Sequence, residues 1–273
     1  MLQSSIDEAL STRAGIDWAV SIRDAAGHEI ACWSGDHALK TASVGKLLLL
    51  VEVARQRVTG ELDGTGVLTR KPELTVADSG IWQHLHVDEL AIDDLCVLIA
   101  SVSDNTATNV LLERVGLHRV VELARSLGLT HTALLDFVRD DRGPNHPATL
   151  STGSASELSG VMSRLSRGAL ISTAVSEQVN AWLATGVDLS MVASAWGLDP
   201  LAHTSPDRNT FLSNKTGSDP GVRADVGFVA RGAACFSYAV IANWDAGRDD
   251  IRDTVLSGMN AVGTVLRAAL EGE

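Results

Sequence analysis

The stretch KTASVGKLLLL, Lys40 to Leu50, runs small and polar residues straight into an apolar helical sequence, with Ser43 and Lys46 one turn apart at the point of entry. A serine ahead of such a run is ordinary N-cap material, its side-chain oxygen accepting a free backbone N–H. It is equally a candidate nucleophile, because residues three or four apart share a helix face and a lysine there can take the hydroxyl proton. These residues alone do not choose between cap and chemistry. The rest of the chain does.

The chain has 273 residues, 45% hydrophobic and 21% charged, ample for one large core or two closely packed subdomains. Its 22 basic and 34 acidic residues give a net charge of -12. That surface argues against nucleic-acid and membrane partners, since phosphate binding needs clustered Lys and Arg. Cys32, Cys96 and Cys235 are scattered, odd in number and flanked by apolar residues, so they read as small buried hydrophobes. The histidines are scattered as well, and no metal or other cofactor is expected. The start, MLQSSIDEALSTRAGIDWAV, lacks a cationic segment followed by an apolar one, which makes a cytoplasmic location the expectation for a chain with this native start. The longest apolar run, Leu47 to Val51, is far too short to span a bilayer.

Outward from Lys40–Leu50, the two chain ends read alike and the middle differs. Ser5–Arg13 is helical, and DWAVSIRDAAGHEIACWSGD is a hairpin in which Trp18, Val20 and Ile22 alternate with Ala19, Ser21 and Arg23. Near the other end ADVGFVA and CFSYAVIANW are strands, followed by a helix from Arg248 to Leu270 with Ile251, Val255, Met259, Val262 and Leu266 on one face. Between them the spacing predicts helices over 43–58, 92–101, 107–115, 117–127, 154–165 and 173–185. The expected organisation is an α+β unit in one piece. Residues 1–40 and 205–273 form an α/β subdomain with an antiparallel sheet flanked by helices, residues 41–204 form an inserted, mainly helical subdomain, and a crevice runs along the seam.

Two more segments bear on Ser43. SVSDNTATNVLL sets Ser103, Asp104 and Asn105 in a polar turn before an apolar helix, and NKTGSDPGVRADVGF sets Lys215, Thr216 and Gly217 at a strand, with Arg223 beyond. Each tripeptide is commonplace alone. The ordered set S-x-x-K, S-D-N, K-T-G, with its first two serines about sixty residues apart, is far more specific.

In these elements the chain resembles the penicillin-recognising serine hydrolases, particularly the class A β-lactamases, over nearly its whole length. The resemblance implies a β-lactamase-like fold with the active site between an α/β and an all-α part. The residue chemistry is compatible with it: Lys46 can accept the Ser43 proton if it is neutral, and a second cation such as Lys215 would lower its pKa. The helix entrance suits developing negative charge. The resemblance further implies that Ser103 bridges the two amines and passes a proton to the leaving group. It gives Asn105 a hydrogen bond to Lys46 and to the substrate amide, and Asp104 reads as tying down its own turn. The oxyanion hole it implies is the pair of backbone N–H groups of Ser43 and Ser218. Lys215, Thr216, Gly217 and Arg223 would line the substrate, as a clamp for a carboxylate on a small molecule.

One family element is missing. Class A enzymes deacylate with the glutamate of an E-x-x-L-N loop motif between S-D-N and K-T-G, and the corresponding TALLDFVRDDRGPNHPATLSTGSASEL has neither a glutamate before Glu157 nor the Leu-Asn pair. Asp136, Asp140 and Asp141 are the carboxylates there; Asp140 and Asp141 are candidate deacylation bases, unless the charges of RDDRG simply pin the loop by ion pairs. The expectation is a serine hydrolase or acyltransferase that forms an acyl-Ser43 intermediate on an amide, ester or lactam, with weak or no β-lactamase turnover. A true class A β-lactamase with an altered base, and a non-enzymatic sensor or binder that stays acylated, are the alternatives.

Overall fold

The computed structural model describes residues 2–11, 13–202, 205–247 and 251–272. Helix α1 (Leu2–Ser11) leads into the hairpin β1 (Asp17–Arg23) and β2 (Glu29–Trp33), then the short β3 (Leu39–Lys40). A tight 3-10 turn, Ala42–Gly45, opens α2 (Lys46–Val58). The middle continues through β4 (Val67–Thr69), β5 (Glu89–Ala91), α3 (Ile92–Val102), α4 (Asn105–Val115) and α5 (Leu117–Ser126), then β6 (Ala133–Leu134), β7 (Ser151–Gly153), α6 (Ala155–Ser166) and α7 (Thr173–Leu183). The chain returns through β8 (Phe211–Asp219), β9 (Val222–Arg231), β10 (Ala234–Asn243) and α8 (Arg252–Gly272).

Strands from both ends form one antiparallel sheet in the order β2-β1-β10-β9-β8. Its register sets Ala19 opposite Ile241 and Lys215 opposite Val226. The alternation in β1 is real, but its second face does not meet water: Trp18, Ala19, Val20, Ser21 and Ile22 are all buried. Val20, Ile22, Tyr238 and Val240 pack with Ile6 and Leu10 of α1 and Val255, Met259, Val262 and Leu266 of α8. Ala19, Val226, Ala239 and Ile241 join the core of the helical middle instead. Small residues on that face let α6 approach, and Ser21 and Ser159 share a 2.6 Å hydrogen bond across the contact.

Helix α2 is buried from Leu47 to Ala54, Glu52 included, and is the axis around which the middle packs. That is why its sequence lacks a polar stripe. The helix expected from Ser43 starts at Lys46 because Ala42, at φ 47°, bends the chain into the 3-10 turn first. The expected start of the last helix at Arg248 lies outside the described residues; α8 begins at Arg252. Asp104 brings the start of α4 forward to Asn105 by accepting the Ala107 N–H at 2.9 Å. Strands of two or three residues, such as β3, β6 and β7, carry no periodic signal and were not expected. Among the described residues no helix is long and apolar enough to cross a membrane.

Candidate active site

Ser43 sits in a turn that the surrounding chain over-determines. The Thr41 N–H donates to the Ser151 carbonyl at 3.2 Å, and the Ser151 hydroxyl donates to the Ala42 carbonyl at 2.6 Å. Strand β8 closes on the turn from the other side. A Cβ at Gly217 would lie 2.2 Å from the Thr41 carbonyl oxygen and 3.0 Å from the Ser43 nitrogen, so a glycine is required for this approach. Ala42, next to Ser43, and Ser103, across the cleft on a separate element, both hold positive φ, 47° and 56°.

Behind Ser43 the amine of Lys46 is fully buried. It donates to the Ser103 carbonyl at 2.6 Å, to the Ser103 hydroxyl at 3.2 Å and to Asn105 Oδ1 at 2.8 Å. Burial first, and then the charge of Lys215, hold Lys46 well below its ordinary 10.5, with Asp104 opposing. Lys215 reaches the same Ser103 hydroxyl from the opposite side, at 3.1 Å, and donates to the Thr216 carbonyl at 2.8 Å. Burial pushes Lys215 down to about 8, against the pull of Asp188 and Asp225. One hydroxyl therefore bridges two amines whose charged forms are both disfavoured.

A cleft of about 220 Å³ opens in front of this network, lined by Ser43, Ser103, Asp188, Lys215, Thr216 and Ser218 among others. Asn105 stands behind it, and its Nδ2 donates to the Ala77 carbonyl at 3.0 Å. Asp104 accepts from the Ile81 and Trp82 N–H groups, both at 2.8 Å, so it ties down the neighbouring 80–82 loop as well as its own helix. Arg223 lines the adjoining pocket, which shares Ser218; it donates to the Asp219 and Val222 carbonyls and lies 5.9 Å from the Trp244 ring centroid.

Two acidic residues here escaped the sequence reading. Asp188 lines the cleft, and Asp225 lies fully buried behind β8, where Asn214 Nδ2 donates to it at 3.0 Å and the Tyr238 hydroxyl at 3.3 Å. Burial pushes Asp225 up to about 7 despite those donors. A charged residue inside the apolar strand VRADVGF was the available signal for Asp225; nothing marked Asp188.

The loop between β6 and β7 is built differently. Asp136 accepts from Arg139 Nε at 2.8 Å, Arg142 Nη1 at 2.7 Å and the Phe137 N–H at 2.8 Å. These donors hold its carboxyl below the usual range even though burial opposes them. Asn109 clips the loop to α4 through both the N–H (2.8 Å) and the carbonyl (2.9 Å) of Val138. Asp140 is exposed and accepts the Ala77 N–H at 3.2 Å, and Asp141 is exposed. Glu157 lies in the first turn of α6, its carboxylate accepting from Thr130 and His131. The one carboxylate among the residues lining the cleft is Asp188.

Comparison with known proteins agrees with this architecture. The chain matches a beta-lactamase from Sphaerobacter thermophilus at 26% identity and a TM-score of 0.82, covering 99% of this chain and 96% of that one. It superposes on PBP-A with a TM-score of 0.83 at 20% identity, over 100% of this chain and 96% of that one, a likeness of fold alone. A Streptomyces cacaoi beta-lactamase regulatory protein, BlaB, is 29% identical over 128 residues, 46% of this chain; the match spans 41% of that relative's length. The profile of the family described as the beta-lactamase enzyme family, Beta-lactamase2, matches residues 1–259, and the chain belongs to that family.

Proposed function

We propose that the chain is a serine acyl-transfer enzyme that attacks an amide, ester or lactam of a small molecule through Ser43 and releases the acyl group slowly. The observation that carries this reading is the Ser103 hydroxyl held between the amines of Lys215 and of Lys46, the residue three positions after Ser43. Neutral Lys46 would take the Ser43 proton as the Ser43 oxygen bonds to the substrate carbonyl carbon. The backbone N–H groups of Ser43 and Ser218, two residues that line one cleft, would stabilise the oxyanion so formed. Collapse breaks the bond to the leaving group, and Ser103 relays the proton to it. The product is acyl-Ser43.

Hydrolysis of that ester needs an activated water. Asp136 is engaged with two arginines and Asp140 with Ala77, and none of Asp136, Asp140 and Asp141 is among the residues lining the cleft, which supports slow release. The S. cacaoi relative's name, a beta-lactamase regulatory protein, favours a second reading in which a lasting acyl-enzyme is itself a signal. A PBP-A variant captured as an acyl-enzyme complex with penicillin G makes a β-lactam a sensible first probe.

Intact-mass measurement over time with penicillins, cephalosporins and simple esters, on wild type and Ser43→Ala, tests the proposal. A persistent adduct on the wild type and none on the variant is the expected result. A wild type left unmodified by every probe, the uncharged esters included, or an adduct on the variant, overturns Ser43. Rapid penicillin turnover overturns slow release and makes the chain a β-lactamase.

A further inference from the structure

We infer that Asp188 sets the substrate class of this cleft: it turns the Lys215–Thr216 edge away from carboxylates and toward acyl compounds that are uncharged beside the scissile bond. The inference rests on Ser43 as nucleophile and goes beyond it. A carboxylate receptor needs net positive charge and free donors. The ionisable side chains among the residues lining the cleft are Asp188 and Lys215, one of each sign.

Asp188 is built in, not loosely placed. It follows α7 in a segment joined to α3 by the Val187 N–H to the Ser101 carbonyl, 3.2 Å. The Ser190 hydroxyl and N–H donate to Asp188 Oδ1 at 2.6 and 3.1 Å, and Asn214 Nδ2 donates to the Asp188 carbonyl at 3.3 Å. Burial works against its charge, but donation from Ser190 and Thr216 and the field of Lys215 outweigh burial and keep it ionised.

Three consequences follow for an entering carboxylate. Asp188 competes for the Thr216 hydroxyl as a donor. The charge of Lys215 is already offset, by Asp188 and in part by Asp225 behind the strand. Arg223 lies in the next pocket, engaged with the Asp219 and Val222 carbonyls. The side chains lining the cleft itself thus offer no net positive charge to the carboxylate, and Asp188 repels it. An uncharged amide or ester group meets none of these costs and can accept from Lys215.

The test uses two acyl esters with the same leaving group, one bearing a carboxylate beside the reacting carbonyl and the other a carboxamide. Wild type should acylate with the carboxamide about tenfold or more faster. Asp188→Asn, which keeps the side chain's shape, should raise the ratio of the carboxylate ester's rate to the carboxamide's about tenfold. A wild-type preference for the carboxylate, or equal losses on both esters in the variant, overturns the inference. Unchanged acylation with slowed deacylation would make Asp188 a base instead, and also overturns it. Titrating the two unreactive product analogues by NMR reads the same discrimination without chemistry. Failure of both esters to acylate Ser43 therefore counts against the nucleophile, whereas tighter carboxylate binding to wild type counts against the role of Asp188.

Discussion

Helix α4 serves two regions that behave oppositely. At its first turn Asn105 holds Lys46, and the polar atoms around it converge on one hydroxyl facing the cleft. One turn on, Asn109 holds the β6–β7 loop, whose charged groups bond to one another and to backbone. The first region keeps buried amines close together, an arrangement that is costly to fold and useful for moving protons. The second has abundant charge and no strain in it: its ion pairs shape a loop. Polar residues alone do not make a catalytic region; what counts is whether their hydrogen bonds are satisfied internally or directed at a space a substrate can enter.

The widest separation between the regions should come from Lys46→Met. Acylation should slow by about 10²–10⁴-fold, since a proton acceptor is lost and the buried volume is nearly kept. A loss under about tenfold in mass-resolved kinetics would move the base elsewhere.

Asp225, behind the first region, should make stability depend on pH. An unfolded aspartate titrates near about 3.9, whereas the folded one titrates at about 7. Between those values the native state holds a proton that the unfolded state has released. The stabilisation is thus full below pH ~4 and is lost as pH rises through about 7, a change on the order of a few kcal/mol. Urea unfolding from pH 4 to 8 should show this decline, and Asp225→Asn should flatten it. An unaltered profile in the variant would remove Asp225 as the cause.

A smaller effect is expected in the loop. Asp136→Asn leaves Arg139 and Arg142 without their carboxylate and should cost about 1–2 kcal/mol in urea unfolding, with acylation unchanged within about threefold. Acylation falling in step with stability would join the two regions into one machine. Smallest of all is Asp140→Asn. Exposed and bonded to Ala77, Asp140 should leave the acyl-enzyme lifetime within about twofold. A lifetime lengthened tenfold or more would make it the deacylation base.

The helices of the middle were legible because each buries an apolar face, which imposes a spacing on the chain. The burial of both faces of β1 was not, because Ala19 and Ser21 look like an outward side until α6 covers them. Residues of the S-x-x-K, S-D-N and K-T-G elements could be singled out because nucleophile, base and relay need particular side chains at particular spacings. What those residues are charged like was decided in three dimensions. Lys46 and Lys215 lie far apart in the chain, and the field of Lys215 on Lys46 exists only once β8 packs against the Ser43 turn. Asp188 had no motif to mark it, and its place beside Lys215 comes from the docking of the segment after α7 onto α3 and β8. Sequence by itself thus determined which chemical groups this protein carries and which family it belongs to. Tertiary structure alone decided which of them share a dehydrated space, because burial and charge–charge coupling depend on distance through space and not along the chain.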